Sequence, residues 1–185
     1  MCTSPNGGGI SRRRFVTYSA WAIAGLISTN AMVTFAGSRR RSLRLRNLPT
    51  GEKLNVTYWE NGAYLPDALD EISHVLRDHR SDDVHPIDTR LLDTLNALQT
   101  SLGFDRPYEV ISGYRSPATN EMLRRKGRAV AQRSMHMEGK AIDVRVPGQN
   151  LNRMREAALA LRAGGVGHYA HSGFLHVDVG PIRTW

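Results

Sequence analysis

Two stretches in the second half of the chain gather side chains able to bind a divalent metal. The first is Ser134-Met135-His136-Met137-Glu138-Gly139-Lys140-Ala141-Ile142-Asp143; the second is Gly173-Phe174-Leu175-His176-Val177-Asp178-Val179-Gly180. Both end in residues that alternate polar and apolar, the period of a strand with one face packed and one face open. Ile142 and Val144 fall opposite Asp143, while Leu175, Val177 and Val179 fall opposite His176 and Asp178. If the two strands are neighbours, Asp143 and His176 stand side by side. His136 can then fold back from the preceding loop, which Gly139 allows to turn sharply. Two His and one Asp leave a fourth coordination position open. That is the catalytic arrangement for Zn²⁺, which lowers the pKa of a bound water towards ~7 and polarises a carbonyl. A lone His is more often a surface or core residue. Here the polar residues recur on the same strand faces, which favours a metal.

A third stretch, Ile111-Ser112-Gly113-Tyr114-Arg115-Ser116-Pro117, follows one strand and opens a helix. An Arg fixed at such a junction can hold a carboxylate or the oxyanion of a tetrahedral intermediate. It can equally pair with a surface acid, and spacing leaves the two open.

The elements that must position these residues read as an α+β domain. Alternation predicts a strand over 54–59, and Glu60-Asn61-Gly62-Ala63 supplies a hairpin turn. Helical spacing predicts a helix over 66–76, with Ala68, Leu69, Ile72, Val75 and Leu76 on one face. Residues 77–83 read as a polar loop. A second helix spans 88–102, capped by Asp88, striped with Leu91, Leu92, Leu95, Leu98 and Leu102, and stopped by Gly103. A strand over 108–112, a short basic helix over 118–126, a strand over 141–146 and a helix over 151–162 follow. Two short strands, 166–169 and 174–179, complete the order. One core with three main helices and a small, largely antiparallel sheet fits this pattern.

Taken in order, the runs S-G-Y-R-S (112–116), S-x-H-x-x-G-x-A-x-D (134–143), G-G-V-G-x-Y (164–169) and F-x-H-x-D-x-G (174–180) resemble a known family. It is the YcbK-like branch of the D-Ala-D-Ala peptidases, which share the zinc fold of lysostaphin-type peptidases and the hedgehog signalling domain. Leu76-Arg77-Asp78-His79-Arg80 and the closing Gly180-Pro181-Ile182-Arg183-Thr184-Trp185 look like this branch as well. The resemblance spans 48–185, and the ordered set is far more specific than any single run. It implies the hedgehog/D-Ala-D-Ala-peptidase-like fold, one Zn²⁺ on His136, Asp143 and His176, and the peptide crosslinks of peptidoglycan as substrate. It further implies that Arg115 steadies the scissile carbonyl and its oxyanion. Ser134 would line the substrate site, with Tyr114, beside Arg115, also expected at the substrate. A D-Ala-D-Ala carboxypeptidase and a catalytically silent murein-binding module are the rival readings.

One departure from the family bears on the general base. Many relatives carry Glu three residues before the last zinc His, where this chain has Gly173. Others carry His five residues before it, and His171 matches. Asp178 is the second candidate, as base or as the group that orients His176. His74, His79, His85 and His168 read as non-ligands.

Composition sets the outer bounds. At 185 residues the chain holds one ordinary domain and a short appendage. A 41% hydrophobic and 23% charged composition excludes collagen-like, coiled-coil and disordered classes. A single cysteine, Cys2, excludes a disulfide scaffold and a Cys-rich zinc finger. Ser11-Arg12-Arg13-Arg14-Phe15-Val16 precedes a weakly apolar run to Ala36, with no acid before Glu52. This resembles a twin-arginine export signal over 1–36, cleaved or kept as a membrane tether, and implies the periplasm or cell envelope. Removing it lowers the net charge from +8 to +5. Arg39, Arg40, Arg41, Arg44 and Arg46 make residues 37–47 read as a flexible basic leader ahead of a domain over 48–185. The alternative for that leader is contact with an anionic membrane surface. No aromatic RNA-binding pattern, zinc finger or helix-turn-helix signature supports a nucleic-acid partner. A monomer is expected.

Overall fold

The computed structural model describes residues 40–127 and 130–185; the expected export signal over 1–36 lies outside the described residues. The chain runs β1 (Arg40–Asn47), β2 (Lys53–Glu60), β3 (Ala63–Tyr64), α1 (Pro66–Val75), α2 (Thr89–Leu102), β4 (Tyr108–Ser112) and α3 (Pro117–Arg125). A single 3-10 turn (Met135–Glu138) precedes β5 (Ala141–Arg145), α4 (Leu151–Leu161), β6 (Gly165–Tyr169), β7 (Phe174–Asp178) and β8 (Arg183–Thr184). All the strands join one sheet in the order β3-β2-β1-β4-β5-β7-β6-β8. The pairs β1·β4 and β6·β8 run parallel and the others antiparallel. The α+β class and the largely antiparallel sheet match expectation. Among the described residues the sheet holds eight strands, and the three main helices and the short basic helix, α3, all form as expected.

Local chemistry explains the helix limits. The Asp88 carboxylate accepts from the Arg90 N–H and caps α2, and Gly103 ends it in the left-handed region at φ +64°. Leu91, Leu92, Leu95 and Leu98 on its inner stripe are completely buried. Ser116 caps α3 ahead of Pro117, and Asn150 caps α4. Helix α4 lies against β6 and β7, and α2 lies against α4 and β1. Met154 and Ala158 of α4 join Ile142, Val144, Leu175 and Val177 in the core. Strand alternation therefore turns Asp143, His176 and Asp178 to the other face of the sheet.

Residues 40–47 are not a flexible leader, and the fold starts before residue 48. β1 sits between β2 and β4, with Leu43 and Leu45 buried. Its arginines alternate with these leucines and pair with acids around them. Arg41 meets Asp93 at 2.7 Å, Arg44 meets Asp105 at 2.8 Å and Arg46 meets Glu109 at 3.3 Å; Arg40 pairs with Glu60. The cationic run is the outer face of an inserted strand.

Candidate metal centre

The ladder between β5 and β7 sets Asp143 directly opposite His176. An irregularity in the β4·β5 pairing brings Ser112 opposite Asp143 from the other side. His136 arrives from the 3-10 turn, which Ser134 caps through its hydroxyl and Gly139 closes at φ +63°. A side chain at Gly139 would also bring its Cβ to 2.3 Å from the Pro86 carbonyl, so glycine is required there.

Three ligand atoms converge. Asp143 Oδ1 lies 2.8 Å from His176 Nδ1 and 3.3 Å from His136 Nε2, and the two imidazole nitrogens lie 3.2 Å apart. Tetrahedral Zn²⁺ with bonds of ~2.0–2.1 Å holds its ligand atoms about 3.3 Å from one another. The remaining ring nitrogens are both committed. His136 Nδ1 donates to the Gly113 carbonyl at 2.7 Å, and His176 Nε2 donates to Asp178 Oδ2 at 3.0 Å. Each bond fixes the tautomer that turns a lone pair, not a proton, towards the common centre. All three ligands, His136, Asp143 and His176, are buried, and together they form a group able to hold a metal ion. Two carboxylates, Asp143 and Asp178, bracket His176, so the donor set suits a divalent cation.

The electrostatics follow from these contacts. Burial alone would raise the Asp143 carboxyl, but His136 and His176 hold it well below the usual carboxylate range. Asp178 behaves likewise: burial is outweighed by His176 and by the Gly180 and Gly165 N–H groups. Burial pulls His176 down, and its bonds to Asp143 and Asp178 raise it on balance. These opposed pairs keep the carboxylates ionised, as metal ligands must be.

Arg115 stands beside this centre. Its Nη2 lies 3.9 Å from Asp143 Oδ2 and 3.3 Å from Ser112 Oγ, and Nη1 donates to Asn120 Oδ1 at 3.3 Å. Its Nε is buried without a hydrogen-bond partner. The loop carrying it is tied down on both sides. Ser116 donates to Asp78 Oδ2 from its N–H and its hydroxyl, each at 2.9 Å, and the Tyr114 N–H donates to the Leu76 carbonyl at 2.7 Å. A cleft of about 410 Å³ opens over the ligands, and its walls include Arg115, Arg133, Ser134, Tyr169, Phe174 and Trp185.

The remaining expected site residues fall elsewhere. Tyr114 is buried and stacks on His85 at 4.7 Å, outside the cleft. Asp178 is completely buried behind His176, its oxygens taken by His176, Arg183 and the Gly165 and Gly180 N–H groups. His171 is exposed in the turn between β6 and β7, beside Ser172, which lines the cleft. Among the described residues, Asp143 is the only acid in the cleft wall. Sequence reasoning missed the wall formed by Tyr169, Phe174 and Trp185 and the buried tether Asp78. The runs ending in Tyr169 and Trp185, and the run around Asp78, were the available signals.

The chain is similar to known proteins over nearly its full length. A family model described as peptidoglycan L,D-endopeptidase MepK matches residues 35–185. The peptidoglycan L,D-endopeptidase MepK of Escherichia coli (strain K12) is 40% identical over 176 residues, covering 95% of this chain and 97% of the relative. The probable peptidoglycan L,D-endopeptidase MepK of Haemophilus influenzae is 38% identical over 177 residues, covering 95% of each. The order of motifs, the sheet that presents them and the extent of these matches converge on one assignment: the chain belongs to the MepK family of peptidoglycan L,D-endopeptidases.

Proposed function

We propose that this chain is a zinc-dependent endopeptidase that hydrolyses L,D peptide crosslinks of peptidoglycan during cell-wall remodelling. The observation that carries this reading is the convergence of His136 Nε2, Asp143 Oδ1 and His176 Nδ1, with both imidazoles locked in the metal-binding tautomer. When bound there, Zn²⁺ supplies Lewis acidity to the scissile carbonyl and lowers the pKa of a water.

The rest is done by the chain's own groups. Hydrolysis adds water across the amide: oxygen goes to the carbonyl carbon, the C–N bond breaks, and a proton reaches the departing nitrogen. Arg115 faces the cleft with an unpartnered Nε and two lightly held Nη groups. Such donors stabilise the negative charge that develops on the carbonyl oxygen. Ser134 holds the peptide beside them. The Asp178 oxygens are already occupied, which suits it to orienting His176 rather than moving protons. His171, on the turn at the rim, is the proton carrier that accepts from the attacking water and returns the proton to the amine. The basic N-terminal run and the location of peptidoglycan support export to the periplasm or envelope by the twin-arginine route.

The test is metal analysis of the purified protein, followed by digestion of isolated sacculi and of crosslinked muropeptide dimers. One zinc per chain and conversion of dimers to monomers is the expected result. Release of free D-Ala with dimers intact selects a carboxypeptidase. Intact dimers with protein bound to sacculi select a binding module, a reading that the absence of Glu at position 173 favours.

A further inference from the structure

Trp185 is held by its main chain and by several side-chain contacts, yet leaves 49% of its surface to solvent. Its main chain extends the β6·β8 pairing: its N–H donates to the Val166 carbonyl at 3.3 Å, and its carbonyl accepts from the His168 N–H at 2.9 Å. The indole Nε1–H donates to the Tyr169 hydroxyl at 3.0 Å. The Arg183 guanidinium lies 5.1 Å from the ring centre and is itself bound to Asp178. The ring rests on Gly167, where an added Cβ would come within 2.6 Å of it. Its centre is 5.2 Å from that of His176. Tyr169 and Phe174, stacked at 4.5 Å, continue the same wall of the cleft.

An aromatic ring with a packing role alone tends to bury its faces. A rigid, half-open indole beside a metal ligand is instead a prepared contact: little side-chain freedom remains to be lost when something apolar covers it. Other groups in the wall are cationic. Arg115 is buried, and Arg133 is exposed. The sheet order separates β4, which leads to Arg115, from β6, which ends in Tyr169, and β8, which leads to Trp185, by the ligand strands β5 and β7, the second of which opens with Phe174. The cleft thus offers guanidinium groups and an apolar face to one substrate.

We propose that Trp185 is a specificity-determining substrate contact, its half-exposed indole packing on the aliphatic side-chain stem of a crosslink peptide whose carboxylate is met by the Arg133 guanidinium. This rests on the peptidase reading above. A peptide crosslinked through an aliphatic diamino acid has this character, a methylene chain beside a free carboxylate.

The experiment compares the full zinc-loaded chain with Trp185→Ala and Trp185→Phe on crosslinked muropeptide dimers. In Trp185→Ala we expect KM to rise roughly tenfold, the usual scale for a truncated aromatic contact, with kcat and zinc stoichiometry little changed. Trp185→Phe should recover most of the loss. An unchanged KM in Trp185→Ala overturns the proposal. Loss of zinc in both variants also overturns it, because the indole would then be a structural cover for His176. If the unaltered chain leaves dimers uncut, the peptidase reading fails, and calorimetric titration of the same dimers decides the contact separately. Weaker binding by Trp185→Ala supports it, and equal binding overturns it.

Discussion

The main-chain N–H of Arg115 donates to the carbonyl of His136 at 3.1 Å. The loop expected to meet substrate and the turn that presents a metal ligand are therefore one hydrogen-bonded unit. A second bond, from His136 Nδ1 to the Gly113 carbonyl, closes the connection. Gly113 is the position on which both depend, because a Cβ there would sit 2.4 Å from the Leu76 carbonyl oxygen. In Gly113→Ala the loop must move off Leu76, at a cost of about 1–3 kcal/mol. Zinc affinity, measured by chelator competition, and turnover should fall together. Lower turnover at unchanged zinc affinity would show the two parts to be independent.

Arg115→Ala should leave zinc stoichiometry intact and lower kcat by roughly 10²–10³, the scale for losing an oxyanion donor. Arg115→Lys should recover little, since one ammonium cannot reproduce the planar fork. Metal analysis and steady-state kinetics on the same preparations check both statements.

Asp178 and His171 separate by opposite signatures. Asp178→Asn places an amide among the Gly165, Gly180 and Arg183 donors and weakens the hold on His176. Zinc affinity should drop roughly 10–100-fold, with most turnover regained at saturating zinc. His171→Ala should keep zinc and lose roughly 10²-fold in kcat. Full activity in His171→Ala removes it as the proton carrier.

Asp78 gives a pH dependence of stability. Burial would raise its carboxyl, but hydrogen bonds from Thr119, Ser116 and Arg80 together lower it below its ordinary value of 3.8. A depressed folded value means that the stabilisation is complete above the unfolded value. It fades as pH falls through the lower, folded one. Asp78→Ala, which strips partners from the buried Ser116 N–H, should cost about 2–3 kcal/mol at pH 7. Urea unfolding of the metal-free proteins should show the gap narrowing below about pH 4. A gap that widens on acidification contradicts the assignment.

Removing residues 40–47 should abolish soluble folded protein, because it takes a strand from between β2 and β4. The milder Leu45→Ala should cost about 2–5 kcal/mol. A truncated chain that retained a cooperative thermal transition would return the basic run to the status of a leader.

The chemistry was legible because His176 and Asp178 alternate with Leu175 and Val177, and Asp143 with Ile142 and Val144. In a half-buried strand such alternation assigns each side chain to a face. β1 was hidden by the same rule acting in a different solvent setting. Its outward positions are arginines, and beside an apolar N-terminal run they read as a charged leader, although Leu43 and Leu45 alternate beneath them. What decides is the long-range pairing with β2 and β4, along with acids such as Asp93 and Glu109, which no local window contains. Asp78 was obscured similarly. Flanked by Arg77 and His79 it looks solvated, and only its contact with Ser116 makes it a buried tether. Tyr114 failed for the converse reason: adjacency to Arg115 in sequence does not bring it to the cleft, and it packs on His85 instead.

Because Asp143 and His176 face each other across one rung of the β5·β7 ladder, activity also audits how the sheet was assembled. A slip by a single residue would drive His176 and Asp178 into the oily interior and expel Leu175 and Val177 into water. Such a misassembled molecule would lose the candidate metal site at the same moment. Catalytic competence and correct strand alignment are thereby inspected together, by a single chemical event.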